Sequence, residues 1–169
     1  MERNSANGRR NGAGHQNGDP LELLKKELEE VRGLFDCYLD TDDIEVRREA
    51  ARSVLAMLEM HSVMEEAAFY PFIREADAQL VEHCEGEHEE TDRLVRQLKE
   101  MDVEDPLYEP TFRQLHEAVM LHVDTEENRL FPELRQSDID MEQLGLEMQA
   151  FESTMIGLQP GSGAAGTRA

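Results

Sequence analysis

His61-Ser62-Val63-Met64-Glu65-Glu66-Ala67-Ala68-Phe69-Tyr70-Pro71 is the stretch that decides the fold, and His122-Val123-Asp124-Thr125-Glu126-Glu127-Asn128-Arg129-Leu130-Phe131-Pro132 repeats its pattern. Each has a His, a Glu four residues later, a second Glu, a short apolar run and a Pro. On an α-helix four residues advance about 6 Å and turn about 40° past a full revolution, so His and Glu point the same way. Both pairs also lie within apolar stripes. Val54, Leu58, His61, Glu65, Ala68 and Phe72 share one face; Phe112, Leu115, Val119, His122, Glu126 and Leu130 share another. A carboxylate in the middle of a core stripe is costly unless its charge is compensated. Two such pairs facing each other across a bundle supply two imidazoles and two carboxylates, which is the donor set of a metal site.

Outward from these motifs, the chain reads as helices. Asp19-Pro20-Leu21-Glu22 is a helix start, with a capping Asp, a Pro at the first helical position and an acidic first turn. Leu21, Leu24, Leu28, Val31, Phe35 and Tyr38 form the stripe of a first helix reaching about Leu39. Asp42 and Glu45 suggest a capping box for a second helix, from about Asp43 to Tyr70, with Pro71 marking its end or a kink. A third is expected from about Arg74 to Met101, with Val81, Cys84, His88, Thr91, Val95 and Leu98 on its core face. After a loop containing Pro106, a fourth spans about Pro110 to Leu130. Ser137-Asp138 is the expected cap of a shorter fifth helix.

No segment reads as a strand. The expected fold is all-α, an antiparallel up-down-up-down four-helix bundle with a short C-terminal fifth helix, occupying residues 19–156. Residues 1–18 and 157–169, rich in Gly and small or polar residues, are expected to be flexible tails.

Composition narrows the partners. The formal charge is −21, from 38 acidic and 17 basic residues, which argues against a nucleic-acid backbone or an anionic membrane surface as partner. No apolar run has transmembrane length, and the N-terminus has no apolar segment resembling a secretory signal. Two cysteines, Cys37 and Cys84, make no disulfide framework, so a reducing cytoplasmic setting is the expectation.

The third helix adds His88, which its phase places on the core stripe. One core His is ordinarily just hydrogen-bonded; three with two core Glu on three helices point to a metal. The candidate ligands are therefore His61, Glu65, His88, His122 and Glu126. His83 is expected to be exposed, and His116 to flank the core. Cys84 shares the face of His88, as a small hydrophobe or a thiolate ligand. Glu66 and Glu127 begin the solvated face, within reach of a ligand His N–H. Imidazole with carboxylate suits iron, manganese or zinc; two bridging carboxylates in a helical bundle favour a pair of irons. The Glu-x-x-His spacing of ferritin-like bundles occurs only at Glu85–His88, which disfavours that chemistry.

Taken with Gly86-Glu87-His88-Glu89-Glu90-Thr91-Asp92-Arg93-Leu94-Val95-Arg96-Gln97-Leu98 between them, the two motifs resemble the hemerythrin-like HHE cation-binding family over about residues 20–155. The resemblance implies an antiparallel bundle around a non-heme diiron centre, with His61, His88 and His122 as terminal ligands and Glu65 and Glu126 as bridges. It further implies a small-molecule partner: dioxygen, nitric oxide or peroxide, bound, sensed or converted. One departure stands out. The first helix of the family carries a His where this chain has Leu28, in Leu24-Lys25-Lys26-Glu27-Leu28, and Leu cannot ligate. Members with the fullest ligand set carry a further His where this chain has Cys84. A diiron site with one poorly ligated iron, which Glu27 or Cys84 could complete, a mononuclear site, and a metal-free bundle acting through a protein partner all remain open on the sequence. A two-carboxylate hydrolase lacks support, because substrate would have to enter a packed core.

Overall fold

The computed structural model describes residues 18–158; apart from Gly18, Gly157 and Leu158, the expected tails lie outside the described residues. The helices are α1 (Pro20–Leu39), α2 (Ile44–Met64), α3 (Tyr70–Ile73), α4 (Ala78–Lys99), α5 (Tyr108–Thr125), α6 (Phe131–Leu134) and α7 (Met141–Leu158). Single π-helical turns, Glu65–Phe69 and Glu126–Leu130, join α2 to α3 and α5 to α6. Each therefore makes one continuous rod, and the molecule has four long rods plus α7. Among the described residues there is no strand, and no helix is long and apolar enough to cross a membrane.

Most boundaries follow from capping. The Asp19 carboxylate accepts from the Leu21 N–H at 3.0 Å, as expected. Asp43, rather than Asp42, caps α2, accepting from the N–H groups of Glu45 at 2.9 Å and Val46 at 3.3 Å. Asp77 caps α4 through the Leu80 N–H at 2.9 Å, so that helix starts four residues later than its expected start at Arg74. Asp140, rather than the Ser137-Asp138 pair, takes the Gln143 N–H at 3.0 Å at the start of α7. Acidic residues are so dense here that several neighbours satisfy the same cap pattern, and backbone geometry selects among them.

The larger correction concerns the two prolines. Pro71 and Pro132 neither end nor sharply break their helices, which run on to Ile73 and Leu134. A helical Pro lacks an N–H and drives its ring into the carbonyl four residues back, here Ala67 and Asn128. One widened turn before each Pro relieves that conflict, with Tyr70 N–H bonding the Glu65 carbonyl and Phe131 N–H the Glu126 carbonyl. The extra residue resets the phase. Phe69, Tyr70 and Ile73 are buried, whereas Ala68 and Phe72, expected in the stripe, are only partly so.

The apolar core is in two parts. One unites Leu28 to Tyr38 of α1 with α2, the second half of α4, and Phe112 to Val123 of α5. Its aromatic centre is Phe112, whose ring centroid lies 4.2 Å from that of Tyr38 and 5.0 Å from that of Phe35. The other unites Leu21, Leu24, Phe69, Tyr70, Ile73, Val81, Cys84 and Phe131 with Leu144 and Met148 of α7. Between them lies a buried polar layer formed by the motif His and Glu.

Burial raises the pKa of each of the chain's three tyrosines, Tyr108 to about 12. A folded pKa above the unfolded value contributes stability below pH 10 that is lost as pH rises through the folded value. Native protein at pH 10 is therefore expected to show less phenolate ultraviolet absorbance than the same protein in denaturant, where tyrosine titrates near its ordinary value. Equal phenolate absorbance in the two at pH 10 would contradict this packing.

Candidate metal centre

His61 lies in the last turn of α2 and Glu65 opens the π turn that follows; His122 and Glu126 stand likewise on α5 and its π turn. His88 enters from the middle of α4. Glu65 and Glu126 are 0 % exposed, and the three His are 1–7 % exposed. Glu65 is the hub. Its Oε2 lies 3.3 Å from His61 Nε2, 3.2 Å from His88 Nε2 and 3.9 Å from His122 Nε2. The two imidazole nitrogens of His88 and His122 approach to 3.1 Å. One donor atom from each of His61, Glu65, His88 and His122 falls within 4.8 Å of all the others. Glu126 lies just outside that tight group, its Oε2 3.6 Å from His122 Nε2.

The three rings share an orientation. Each turns Nε2 toward the centre and Nδ1 toward an acid: Glu27 of α1 at 3.9 Å for His61, Glu66 at 3.5 Å for His88, and Glu87 of α4 at 3.1 Å for His122. For His122 the Glu87 carboxylate is in hydrogen-bond range, which keeps the proton on Nδ1 and the lone pair of Nε2 facing inward; the charges of Glu27 and Glu66 favour the same arrangement in the other two rings without a hydrogen bond. Glu87 also accepts from Thr125 Oγ1 at 2.9 Å, and Tyr70 donates its hydroxyl to Glu65 Oε2 at 2.8 Å. Glu87 and Tyr70 were not among the candidates read from the sequence. Glu87 sits one residue from His88, on a turn whose acids all look solvated, and Tyr70 reaches the site only because the π turn brings it inward.

Electrostatics sharpen the picture. Burial alone would raise the pKa of Glu65, but His61, His88 and His122 around it outweigh that and hold it well below the usual carboxylate range. Glu126 goes the other way: burial, then the charge of Glu65, push it well above that range. Two buried carboxylates this close cannot both stay ionised without a compensating cation. Burial lowers His122, whereas in His61 the effect of burial is more than offset by Glu65 and Glu27, leaving its pKa raised.

The donor set fits a metal ion on a further ground. Among the described residues, the buried side-chain atoms lacking any hydrogen-bond partner are His61 Nδ1 and Nε2, Glu65 Oε1, His88 Nδ1 and Glu126 Oε1 and Oε2, every one from a candidate ligand. Buried polar groups are normally satisfied, and a cluster of exceptions calls for an ion or water. Cys84 is buried and free, forming a second, smaller donor group with Glu87 and His122. Burial raises its thiol pKa. His83 is exposed, 3.3 Å from Glu87, and His116 packs on Phe35 at 4.8 Å between ring centroids, both away from the central cluster. Leu28 is buried among the apolar residues of α1, so α1 offers no imidazole to the site.

Glu87→Ala should weaken metal binding by roughly 10–100-fold, because it frees the His122 ring and removes the charge behind Nδ1. Glu87→Gln, whose amide oxygen still accepts, should recover part of the loss. Competition with a chelator measures both; equal affinities in all three proteins would remove Glu87 from this role.

A helical bundle that buries three imidazoles and two carboxylates around unsatisfied polar atoms defines a metal-binding protein of the histidine–carboxylate kind. The chain belongs to the hemerythrin HHE cation-binding domain family, whose model matches residues 19–134. A crystal structure of a hemerythrin HHE cation-binding domain-containing protein from Mycobacterium kansasii superposes with a TM-score of 0.70 at 23 % identity. That superposition covers 83 % of this chain and 88 % of the other, and it shows the shared fold. A protein named DNA nickase from Nostoc sp. is 28 % identical over 148 residues, 84 % of this chain. The match spans 41 % of the length of that relative.

Proposed function

We propose that the cluster holds non-heme iron and that the loaded protein binds, senses or converts a small molecule such as dioxygen, nitric oxide or peroxide. The observation that carries this reading is the set of orphaned buried atoms, all belonging to the candidate ligands. Imidazole and carboxylate donors together suit iron. When bound, iron supplies redox chemistry and coordination positions for small exogenous molecules. His61, His88 and His122 would hold it through Nε2, Glu65 would lie between them, and Glu126 would add the second carboxylate. Glu87 keeps the His122 ring proton on the outer nitrogen, the carboxylates of Glu27 and Glu66 stand behind the other two rings, and the two apolar clusters exclude bulk water. Tyr70 holds its proton at the inner face, on Glu65 Oε2.

Two carboxylates support a pair of ions. A single ion is the second reading, favoured by the convergence of four donors on one point and by the absence of an imidazole from α1. A net charge of −21 opposes a phosphate backbone, which supports a small-molecule partner over DNA for this chain. The free, exposed Cys37 suits a reducing cytoplasm.

The test is iron content per chain after purification without added metal, with the near-ultraviolet spectrum recorded before and after azide. About two irons and an azide-sensitive band support the paired site; one iron supports the single-ion reading. No iron after anaerobic reconstitution with ferrous salt would leave a metal-free bundle working through a protein partner.

A further inference from the structure

A cavity of about 260 Å³ opens between α1, α2 and α7. Leu28, Met57, Met60, Met64, Met148 and Phe151 supply most of its apolar wall, and four of the chain's nine methionines thus line one space. Glu27, Glu30 and Glu152 add carboxylates to the lining, the last two from exposed positions. Of the five candidate ligands, His61 alone borders this cavity. Its Nδ1 is turned toward Glu27, also a lining residue, and away from Glu65. That nitrogen is buried and has no hydrogen-bond partner, since 3.9 Å to Glu27 is beyond hydrogen-bond range.

We propose that this cavity binds a small uncharged molecule with an apolar body and one hydroxyl, an alcohol or phenol. The partly exposed Glu27 side chain shifts outward to admit it: the hydroxyl oxygen accepts from His61 Nδ1–H, which is otherwise closed off, and the hydroxyl donates a hydrogen bond to the Glu27 carboxylate. The space is ample, because an apolar cavity of about 150 Å³ already holds benzene. A hydroxyl both accepts and donates, which is what an N–H and a carboxylate too far apart to bond each other require. A hydrocarbon leaves Nδ1 unpaired, a carboxylate meets three glutamates, and an ammonium cannot accept from the imidazole. The occupant would touch the ring of a candidate ligand from the side opposite Glu65. The proposal itself requires no metal.

The test uses the metal-free full chain and four probes of one shape: benzyl alcohol, toluene, benzoate and benzylammonium. Calorimetry should find benzyl alcohol bound about tenfold more tightly than toluene, as expected where a buried polar group would otherwise stay unpaired. Benzoate and benzylammonium should bind more weakly than the alcohol. Glu27→Leu should bring the alcohol down to the level of toluene. Met60→Trp, at a residue already 38 % exposed, should fill the cavity and abolish both. In the wild-type protein the His61 Nδ1 proton should shift in NMR spectra with the alcohol only, and the probe ring should show contacts to the Met57 and Met148 methyls. Equal binding of alcohol and toluene, tighter binding of benzylammonium, no binding of any probe, or contacts elsewhere would each overturn the proposal.

Discussion

Saturating the protein with ferrous iron is expected to raise its thermal midpoint by about 8–16 °C. A ligand that binds only the folded state stabilises it by about 4.1 kcal/mol when its free concentration is a thousandfold above Kd. For a chain of this length each kcal/mol moves the midpoint by roughly 2–4 °C. The physical source is local. Without a cation, Glu126 sits 0 % exposed with neither oxygen hydrogen-bonded, and its pKa is raised by burial and by Glu65. A raised folded pKa means that the stability tied to the Glu126 proton is present below the unfolded value and lost as pH rises toward the folded one. Metal replaces that proton, so the gap between loaded and metal-free midpoints should widen as pH rises above the ordinary carboxylate range. Scanning calorimetry at fixed free iron across pH measures both effects. A midpoint indifferent to iron at every pH would mean that the cluster binds none.

Glu126→Leu should split stability from metal affinity. In the metal-free protein it removes an unsatisfied buried acid and leaves an apolar side chain of similar reach. Leaving a buried polar group unsatisfied costs about 1–3 kcal/mol, so the variant should be more stable than wild type by a figure of that order. Its iron affinity should fall by more than the roughly 100-fold that losing an outer-shell partner can cost, because a direct donor is gone. Chemical denaturation of metal-free protein and chelator competition give the two numbers separately. A variant that loses stability without iron, or keeps its iron affinity, would show that Glu126 is an ordinary buried residue. Opposite signs in the two measurements are what a residue kept for the site, at the expense of the fold, must show.

How much of this was legible beforehand depends on the range of the interaction. The helical stripes, the two His–Glu pairs and the placing of His88 needed only the 3.6-residue period, which is a property of the chain itself. The same holds for the Asp19 cap, the lack of any strand and the absence of an imidazole from α1 at Leu28. Period alone also assigned Ala68 and Phe72 to the core, where the structure puts Phe69, Tyr70 and Ile73. A π turn adds one residue without any mark in the composition, and only the backbone of the folded chain shows that the helices run on through Pro71 and Pro132.

The residues behind the ligands were legible only in part. Glu66 follows a core Glu and reads as within reach of a ligand His, and Glu27 reads as a group that could complete the site, whereas Glu87 of α4 looks like one more of 38 acids on a solvated face. Which acid stands behind which imidazole depends on how the helices are rotated against one another. The sequence by itself determined the fold class and the five candidate donors, because hydrophobic period and residue chemistry are local. Only the tertiary structure decided that Glu65 is the hub, that Glu126 stands slightly apart, and that His61 faces a cavity. Those facts follow from the packing of four rods, and no single segment carries them.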